Sequence, residues 1–179
     1  MAENTEIEGV YMDYIDNDRL AILSTLPNLK YLQISSSRQE DMPDLSPLKT
    51  LDVLVLANMT KLRDIECVKR LSNLKTLLLY GINKLYDLTP LSNLASLQEL
   101  SIHHGKTSSK GHPVNSMEPL GKLTELKYLE FHLTVEDNNK DISVLFNLKK
   151  LQHVGLMEKY HKKGQWELLH QKLPLLRDF

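Results

Sequence analysis

The sequence lacks the features that mark several large classes of protein. Cys67 is the single cysteine among 179 residues, so no disulfide framework can form and a reducing compartment is favoured. The formal net charge of -1 gives no electrostatic reason to expect binding to nucleic acid or to an anionic membrane. No stretch approaches the roughly 18 apolar residues that span a bilayer, and the acidic residues 1–6 do not read as a secretory signal. We therefore expect a cytoplasmic protein that binds neither nucleic acid nor membrane.

One apolar pattern recurs along most of the chain. The pattern L-x-x-L-x-x-L-x-x-L-x-L has copies that begin at Leu23, Leu45, Val68, Leu91, Leu120 and Leu145, and a degenerate copy spans residues 7–12. A spacing of about 20–29 residues predicts a solenoid, in which only neighbouring repeats can cover the apolar face of each repeat. The final L-x-L alternates as expected of a short strand with one buried face. The three-residue period before it indicates a 3₁₀ or short α-helical turn on the opposite, convex side.

The repeat that begins at Asp87 follows D-[LI]-x-P-L-x-x-L-x-x-L-x-x-L-x-L, and it resembles the short leucine-rich repeats of bacterial internalin-like proteins. The resemblance covers about residues 23–156. It implies an α/β fold, a solenoid with a parallel β-sheet on its concave face and short 3₁₀ or α turns on its convex face, which usually binds another protein through that sheet. The family's asparagine after the strand is largely missing, and we predict that Met59 and Ile82, near that position, are core residues.

We predict a single leucine-rich-repeat domain over residues 1–179. Residues 1–22 form an N-terminal cap with the degenerate repeat, residues 23–156 form six repeats, and residues 157–179 form a C-terminal cap. Within the second cap, residues 164–173 have the pattern of an amphipathic helix. One side of this helix carries Trp166, Leu169 and Leu173. Because a solenoid needs a cap over its last repeat, we interpret Trp166 as a residue that packs in the core of this cap. The sequence leaves open whether the chain is part of a longer array of repeats.

The residues between the strand leucines are predicted to face outward in three columns, with neighbouring strands about 4.8 Å apart. An apolar zone, with Leu78 and Tyr80 at its centre, is followed by a polar zone rich in histidine. Strand propensity alone would explain Val and Tyr there, but an exposed apolar patch usually marks a contact site. We predict as partner-binding residues Tyr31, Val53, Val55, Leu78, Tyr80, Glu99, His103, Tyr128, Glu130 and His132. Three longer connections, residues 104–113, 134–139 and 158–164, are predicted to border this face.

These observations favour a protein–protein interaction module over an enzyme. We predict that it binds a partner protein through the concave face and needs no cofactor, as a stoichiometric inhibitor, for example a bacterial immunity protein, or as the recognition arm of a larger signalling protein. The alternative from another class is a metal-dependent enzyme that uses His103, His132 and Glu130, because imidazole and carboxylate groups bind zinc. Neither an H-E-x-x-H motif nor a cysteine pair accompanies these residues. The sequence leaves open whether the protein self-associates.

Overall fold

The chain forms one parallel β-sheet backed by short helical turns. The computed structural model describes residues 4–105, 111–136, 139–162 and 164–177. Seven strands lie in chain order across the sheet: β1 Gly9–Met12, β2 Tyr31–Ser35, β3 Val53–Ala57, β4 Thr76–Tyr80, β5 Glu99–His103, β6 Tyr128–His132 and β7 His153–Leu156. Two α-helices flank them, α1 Asn17–Leu23 after β1 and α2 Gln165–Lys172 after β7. The predicted solenoid of parallel strands is confirmed.

The core lies between the sheet and the turns that connect its strands. Leu54 and Leu77 pair in register on adjacent strands, and both are fully buried. Complete burial of one leucine side chain contributes about 1.5–3 kcal/mol, and each repeat supplies several. The turns opposite the sheet are 3₁₀ helices at Glu66–Val68, Thr89–Asn93, Glu118–Lys122, Ser143–Asn147 and Glu158–Tyr160. The first four of these turns contain one fully buried aliphatic residue each, Val68, Leu91, Leu120 and Leu145, so the three-residue period is explained by turns that lay one apolar side chain against the strands.

Aspartate side chains start several of these turns. Asp64 accepts a hydrogen bond from the backbone N–H of the residue two positions on at 3.0 Å, and Asp87 and Asp141 do the same at 2.8 Å. A carboxylate that accepts backbone N–H bonds stabilises a tight turn. Hydrogen bonds from Thr89, first from its hydroxyl and then from its N–H, hold the pKa of the Asp87 carboxyl below its ordinary value. In the connection from β2 to β3, Asp44 accepts the backbone N–H of Ser46 in the same way at 3.0 Å.

The chain leaves three successive strands through a residue with left-handed backbone conformation. Ser36, Asn58 and Gly81 have φ values of 61°, 54° and 68°. The N–H of each donates to the carbonyl of the last residue of the next strand, at 2.8, 2.7 and 3.0 Å. The hydrogen bonds between neighbouring strands therefore continue for one residue past the end of each strand. The sharp change of direction then turns Met59 and Ile82 inward, where they are 0% and 2% exposed. Both are core residues, as predicted.

The two helices cover the ends of the core. Asp16 caps α1 by accepting the N–H of Arg19 at 2.8 Å, which satisfies one of the unpaired donors of the first turn. In α2, Leu169 and the following Leu173 are buried, and Trp166 packs partly buried against the core, in agreement with the predicted packing role. In the described part of the chain, no helix has the length and apolarity needed to cross a membrane.

Tyr160 joins the C-terminal end to the connection that follows β6. Its ring is fully buried and meets Phe131 edge-on at 6.2 Å. Its hydroxyl donates to the Leu133 carbonyl at 2.9 Å and accepts the Val135 N–H at 3.0 Å. Val135 in turn pairs with Val114 in an isolated parallel bridge. The longer connections are therefore partly packed into the core, while residues 106–110, 137–138 and 163 of the predicted border lie outside the described residues.

Candidate functional site on the open sheet face

The side of the sheet opposite the leucine core, here called the open sheet face, carries the three predicted columns. The register of the strands places equivalent residues side by side. The first column runs Tyr31, Val53, Thr76, Glu99, Tyr128 and His153, the second Gln33, Val55, Leu78, Ser101, Glu130 and Gly155, and the third Ser35, Ala57, Tyr80, His103 and His132. Tyr11 extends the second column on β1. The phase of every strand follows the alternation of its leucines.

The apolar half of the face is narrower than the sequence predicts. Tyr80 is 36% exposed, and Val53 and Leu78 are half-buried. Val55, one of the predicted partner-binding residues, is only 7% exposed and therefore offers little surface to a partner. It lies in the middle column, where Gln33 and Leu78 flank it from the adjacent strands. Leu78 and Tyr80 therefore provide the accessible apolar surface.

At the N-terminal end of the face, polar side chains form a hydrogen-bonded row along β2. Tyr31 donates its hydroxyl proton to Gln33 Oε1 at 2.6 Å, and Gln33 Nε2 donates to Ser35 Oγ at 2.8 Å. The ring of Tyr11 lies 5.2 Å from that of Tyr31 and is mostly exposed. Burial, with a smaller contribution from Tyr11, raises the pKa of the Tyr31 hydroxyl. The predicted partner-binding residue Tyr31 is thus half-buried, and its hydroxyl is held by Gln33.

Glu130 is the centre of the polar half. Its Oε2 accepts a hydrogen bond from His132 Nε2 at 2.6 Å, and its Oε1 accepts one from His153 Nε2 at 2.6 Å and one from the Tyr128 hydroxyl at 3.2 Å. Burial alone would raise the pKa of this carboxyl, but the hydrogen bonds from His153 and His132 outweigh burial and hold the pKa below its ordinary value. Glu130 is therefore an ionised carboxylate held from both sides.

Gly155 makes room for this arrangement. It lies directly opposite Glu130 in the register of β6 and β7. A Cβ atom built at position 155 would collide with the Glu130 carboxylate, so the side chain of Glu130 lies across the glycine to reach His153. No periodicity argument singles out this residue, because the sequence shows only that a glycine stands in an outward position.

Aromatic and imidazole rings form two stacks around the carboxylate. His103 and His132 are stacked with centroids 4.5 Å apart, and Tyr80 lies 5.2 Å from His103 at a tilt. Tyr128 and His153 form the second stack at 4.3 Å. Such contacts add about 0.5–1.5 kcal/mol per pair beyond area burial. They also hold in place four rings that the sequence predicts as partner-binding residues, those of Tyr80, His103, Tyr128 and His132.

Ser101 orients one of the histidines. Its Oγ and His103 Nε2 are hydrogen-bonded at 2.8 Å, and the serine is only 4% exposed. Burial, reinforced by the charge of His132, lowers the pKa of His103. A buried hydroxyl of this kind positions an imidazole and is not an accessible nucleophile.

The three predicted metal-ligating residues converge on the open sheet face. One ligand atom from each of His103, Glu130 and His132 lies within 4.8 Å of the others. Glu99 is instead exposed and accepts a hydrogen bond from Thr76 Oγ1 at 3.3 Å. His153 contacts the cluster only through Glu130 Oε1. The arrangement can therefore present two imidazoles and one carboxylate to a common point.

Comparison with known proteins identifies relatives by fold. The family described as "Leucine-rich repeat region" matches residues 6–179. Among solved structures, internalin C2 of Listeria monocytogenes is 24% identical with a TM-score of 0.58, and internalin F of the same organism is 28% identical with a TM-score of 0.51. The leucine-rich repeat domain of the type III effector XopL is 19% identical with a TM-score of 0.64. No curated protein matches the sequence.

These structures are longer than the region they share with this chain. The alignment to internalin C2 covers 76% of this chain and 57% of that protein, and the alignment to internalin F covers 75% and 42%. For the XopL domain the shares are 83% and 51%. The chain therefore spans roughly half the length of its structural neighbours, which share its repeat architecture.

Proposed function

Because the chain belongs to the leucine-rich-repeat family, we propose that it is an interaction module that binds a partner protein through the open sheet face. Repeat solenoids present extended surfaces of this kind for binding. The observation that carries the proposal is the ordered set of rings on that face. Tyr80, His103 and His132 form one continuous row across β4 to β6, and Tyr128 and His153 form a second.

Order in these side chains favours binding for a thermodynamic reason. Immobilising a flexible side chain at an interface costs about 0.5–1.5 kcal/mol. The rings of Tyr80 and Tyr128 are already held by neighbouring rings, yet 36% and 39% of these residues remain exposed. Tyrosine is also enriched among the residues that dominate interface energies. A partner that covers these two rings gains contact area and loses little side-chain entropy.

The division of the face defines the kind of partner surface that would fit. Leu78 and Tyr80 provide an apolar centre, and the ionised Glu130 with its histidines provides hydrogen-bonding groups beside it. Interfaces commonly combine an apolar centre with a polar surround. A complementary partner would place an apolar side chain against β4 and hydrogen-bonding groups against β6 and β7. Catalysis is not part of the proposal, and the inhibitor, immunity and cytoplasmic roles stay predictions.

The test compares capture of partner proteins by matched variants. Wild type, Leu78→Arg and Ile22→Arg would each be immobilised and exposed to the native lysate, and the bound proteins would be identified by mass spectrometry. Leu78 is on the open sheet face, whereas Ile22 is a 65% exposed residue of α1. Both changes add the same charge at an accessible apolar position, so the comparison isolates the location.

We expect proteins captured by wild type and Ile22→Arg to be lost from Leu78→Arg, with circular dichroism and the melting temperature unchanged. Equal capture by Leu78→Arg and wild type would remove the open sheet face as the binding surface. Unfolding of Leu78→Arg alone would contradict the outward orientation of that side chain. A direct binding measurement with each recovered protein would then show whether Tyr80→Ala weakens it by the 10-fold or more that loss of about 1.4 kcal/mol produces.

A further inference from the structure

We propose that His103, Glu130 and His132 form a binding site for a divalent transition-metal ion, with zinc as the best match. The three residues lie on the adjacent strands β5 and β6, and His103 and His132 are direct register partners. One donor atom from each residue lies within 4.8 Å of the others. The site lies on the open sheet face and needs no residue from another chain, so an ion can be tested on the protein without a partner.

The geometry requires only small side-chain movements. Tetrahedral zinc with bonds of about 2.0–2.1 Å holds its ligand atoms roughly 3.3 Å apart. Glu130 Oε2 and His132 Nε2 are already 2.6 Å apart, so this pair opens slightly on binding. His103 is stacked on His132 at 4.5 Å and has to bring one ring nitrogen nearer to them. Rotation about side-chain bonds supplies such movements, and the backbone register stays as it is.

Neighbouring groups support the ligands as outer-shell residues do in metal sites. Tyr128 and His153 both donate to Glu130 Oε1, which leaves Oε2 directed at the imidazole of His132. Ser101 is hydrogen-bonded to one nitrogen of His103. Hydrogen bonds of this type orient the side chains that bind the metal directly, and their loss typically lowers metal affinity about 10–100-fold. Gly155 provides the space in which the carboxylate lies.

The donor set determines which ions suit the site. Two imidazoles and one carboxylate favour zinc and other late transition metals over magnesium and calcium, which prefer oxygen ligands. Three protein ligands leave a fourth position for water or another small ligand. The side chain of His132 is 40% exposed and that of Glu130 is 19% exposed, so an ion can reach the site from solvent on the open sheet face.

A simpler explanation is that Glu130 serves only as a hydrogen-bond acceptor for two histidines. The two explanations differ in what occupies the space between Glu130 Oε2 and His132 Nε2, a proton in one case and a metal ion in the other. Zinc binding would displace that proton, since a metal ligand must be deprotonated. Stoichiometry and the response to substitution therefore distinguish them.

The experiment is a calorimetric titration of the purified full chain with zinc chloride near pH 7.5, after treatment with a chelator and its removal. Four variants would be compared with wild type: His132→Gln, Glu130→Gln, Gly155→Ala and the control His112→Gln. His112 is an exposed histidine outside the open sheet face. Cobalt absorption spectra of the same proteins would report a tetrahedral site directly.

We expect one zinc ion per chain for wild type and for His112→Gln. His132→Gln and Glu130→Gln should weaken binding by on the order of 100-fold, because each removes a ligand and outer-shell losses already reach that size. Gly155→Ala should weaken binding about 10–100-fold without loss of fold, since its methyl group displaces the end of a flexible carboxylate side chain. Absence of zinc binding by wild type, or equal binding by all four variants, would overturn the proposal.

Discussion

Replacement of Tyr160 by phenylalanine tests how the C-terminal end of the solenoid is held. Phenylalanine keeps the edge-on contact with Phe131 and removes only the hydroxyl. The Leu133 carbonyl then loses its donor and the Val135 N–H loses its acceptor. Leaving a buried polar group unsatisfied costs about 1–3 kcal/mol. With partial relaxation of the two groups, we expect Tyr160→Phe to lower the free energy of unfolding by about 2–3 kcal/mol.

The assay is urea denaturation followed by far-ultraviolet circular dichroism and by the fluorescence of Trp166. For a chain of this size, the expected loss corresponds to a fall in melting temperature of roughly 4–12 °C. The matched control is Tyr86→Phe, because Tyr86 is 46% exposed and its hydroxyl donates to Glu136 Oε2 at 2.8 Å. Exposed hydrogen bonds contribute little, so this change should cost about 0.5 kcal/mol or less. Equal effects of the two substitutions would refute the reasoning.

The same residue predicts an alkaline effect of defined sign. Burial raises the pKa of Tyr160, although the hydrogen bond from Val135 opposes it. The folded state therefore favours the neutral hydroxyl. The contribution of this hydroxyl to the free energy of unfolding is intact below about pH 10, the ordinary tyrosine pKa. The contribution is lost as pH rises from there through the folded-state pKa. Wild type should thus lose more stability than Tyr160→Phe as the pH rises above about 10; equal losses would contradict the assignment.

Two further predictions concern residues away from the open sheet face. Burial first, and then the charge of Asp64, raises the pKa of Cys67 from 9.0 to about 12, so its thiolate fraction at pH 8 is about a thousandfold below that of a free thiol. We expect a disulfide reagent to label it only after unfolding, and labelling of the native protein at the rate of a model thiol would contradict its burial. Gly81→Ala should lower the free energy of unfolding in urea by about 1–3 kcal/mol, because φ is +68° and a Cβ would lie 3.0–3.1 Å from Asn58 atoms. It should cost more than Gly164→Ala, where φ is +90° but no atom lies within 4 Å; equal costs would show that the contact is unimportant.

The sheet follows from the sequence because each strand repeats the same local rule. Leucines at alternate positions determine which way the side chains point, and equivalent copies stack without an offset. The outward columns are therefore predictable without coordinates, including the pairing of His103 with His132. The core role of Met59 and Ile82 follows in the same way, since each replaces a polar residue at a position close to the strand end.

What the pattern does not predict is how outward side chains arrange themselves among neighbours from other repeats. The burial of Val55 depends on Gln33 and Leu78, which are more than 20 residues away in sequence. The path of the Glu130 side chain depends on a glycine one repeat later, and the hydrogen bond between Ser101 and His103 depends on the rotamers of both residues. The alternation along a strand determines which face of the sheet a side chain lies on. Its rotamer and the local crowding depend also on the two strands beside it.

The uniform register of β3, β4 and β5 has an evolutionary consequence. Because residues 68–90 begin and end at the same point of the ladder, an in-frame duplication of that segment would insert one more strand and its turn while leaving every other pairing intact. Duplication can thus lengthen the open sheet face in modular steps of about 4.8 Å. Selection can then alter the inserted copy without disturbing the residues that already serve a purpose.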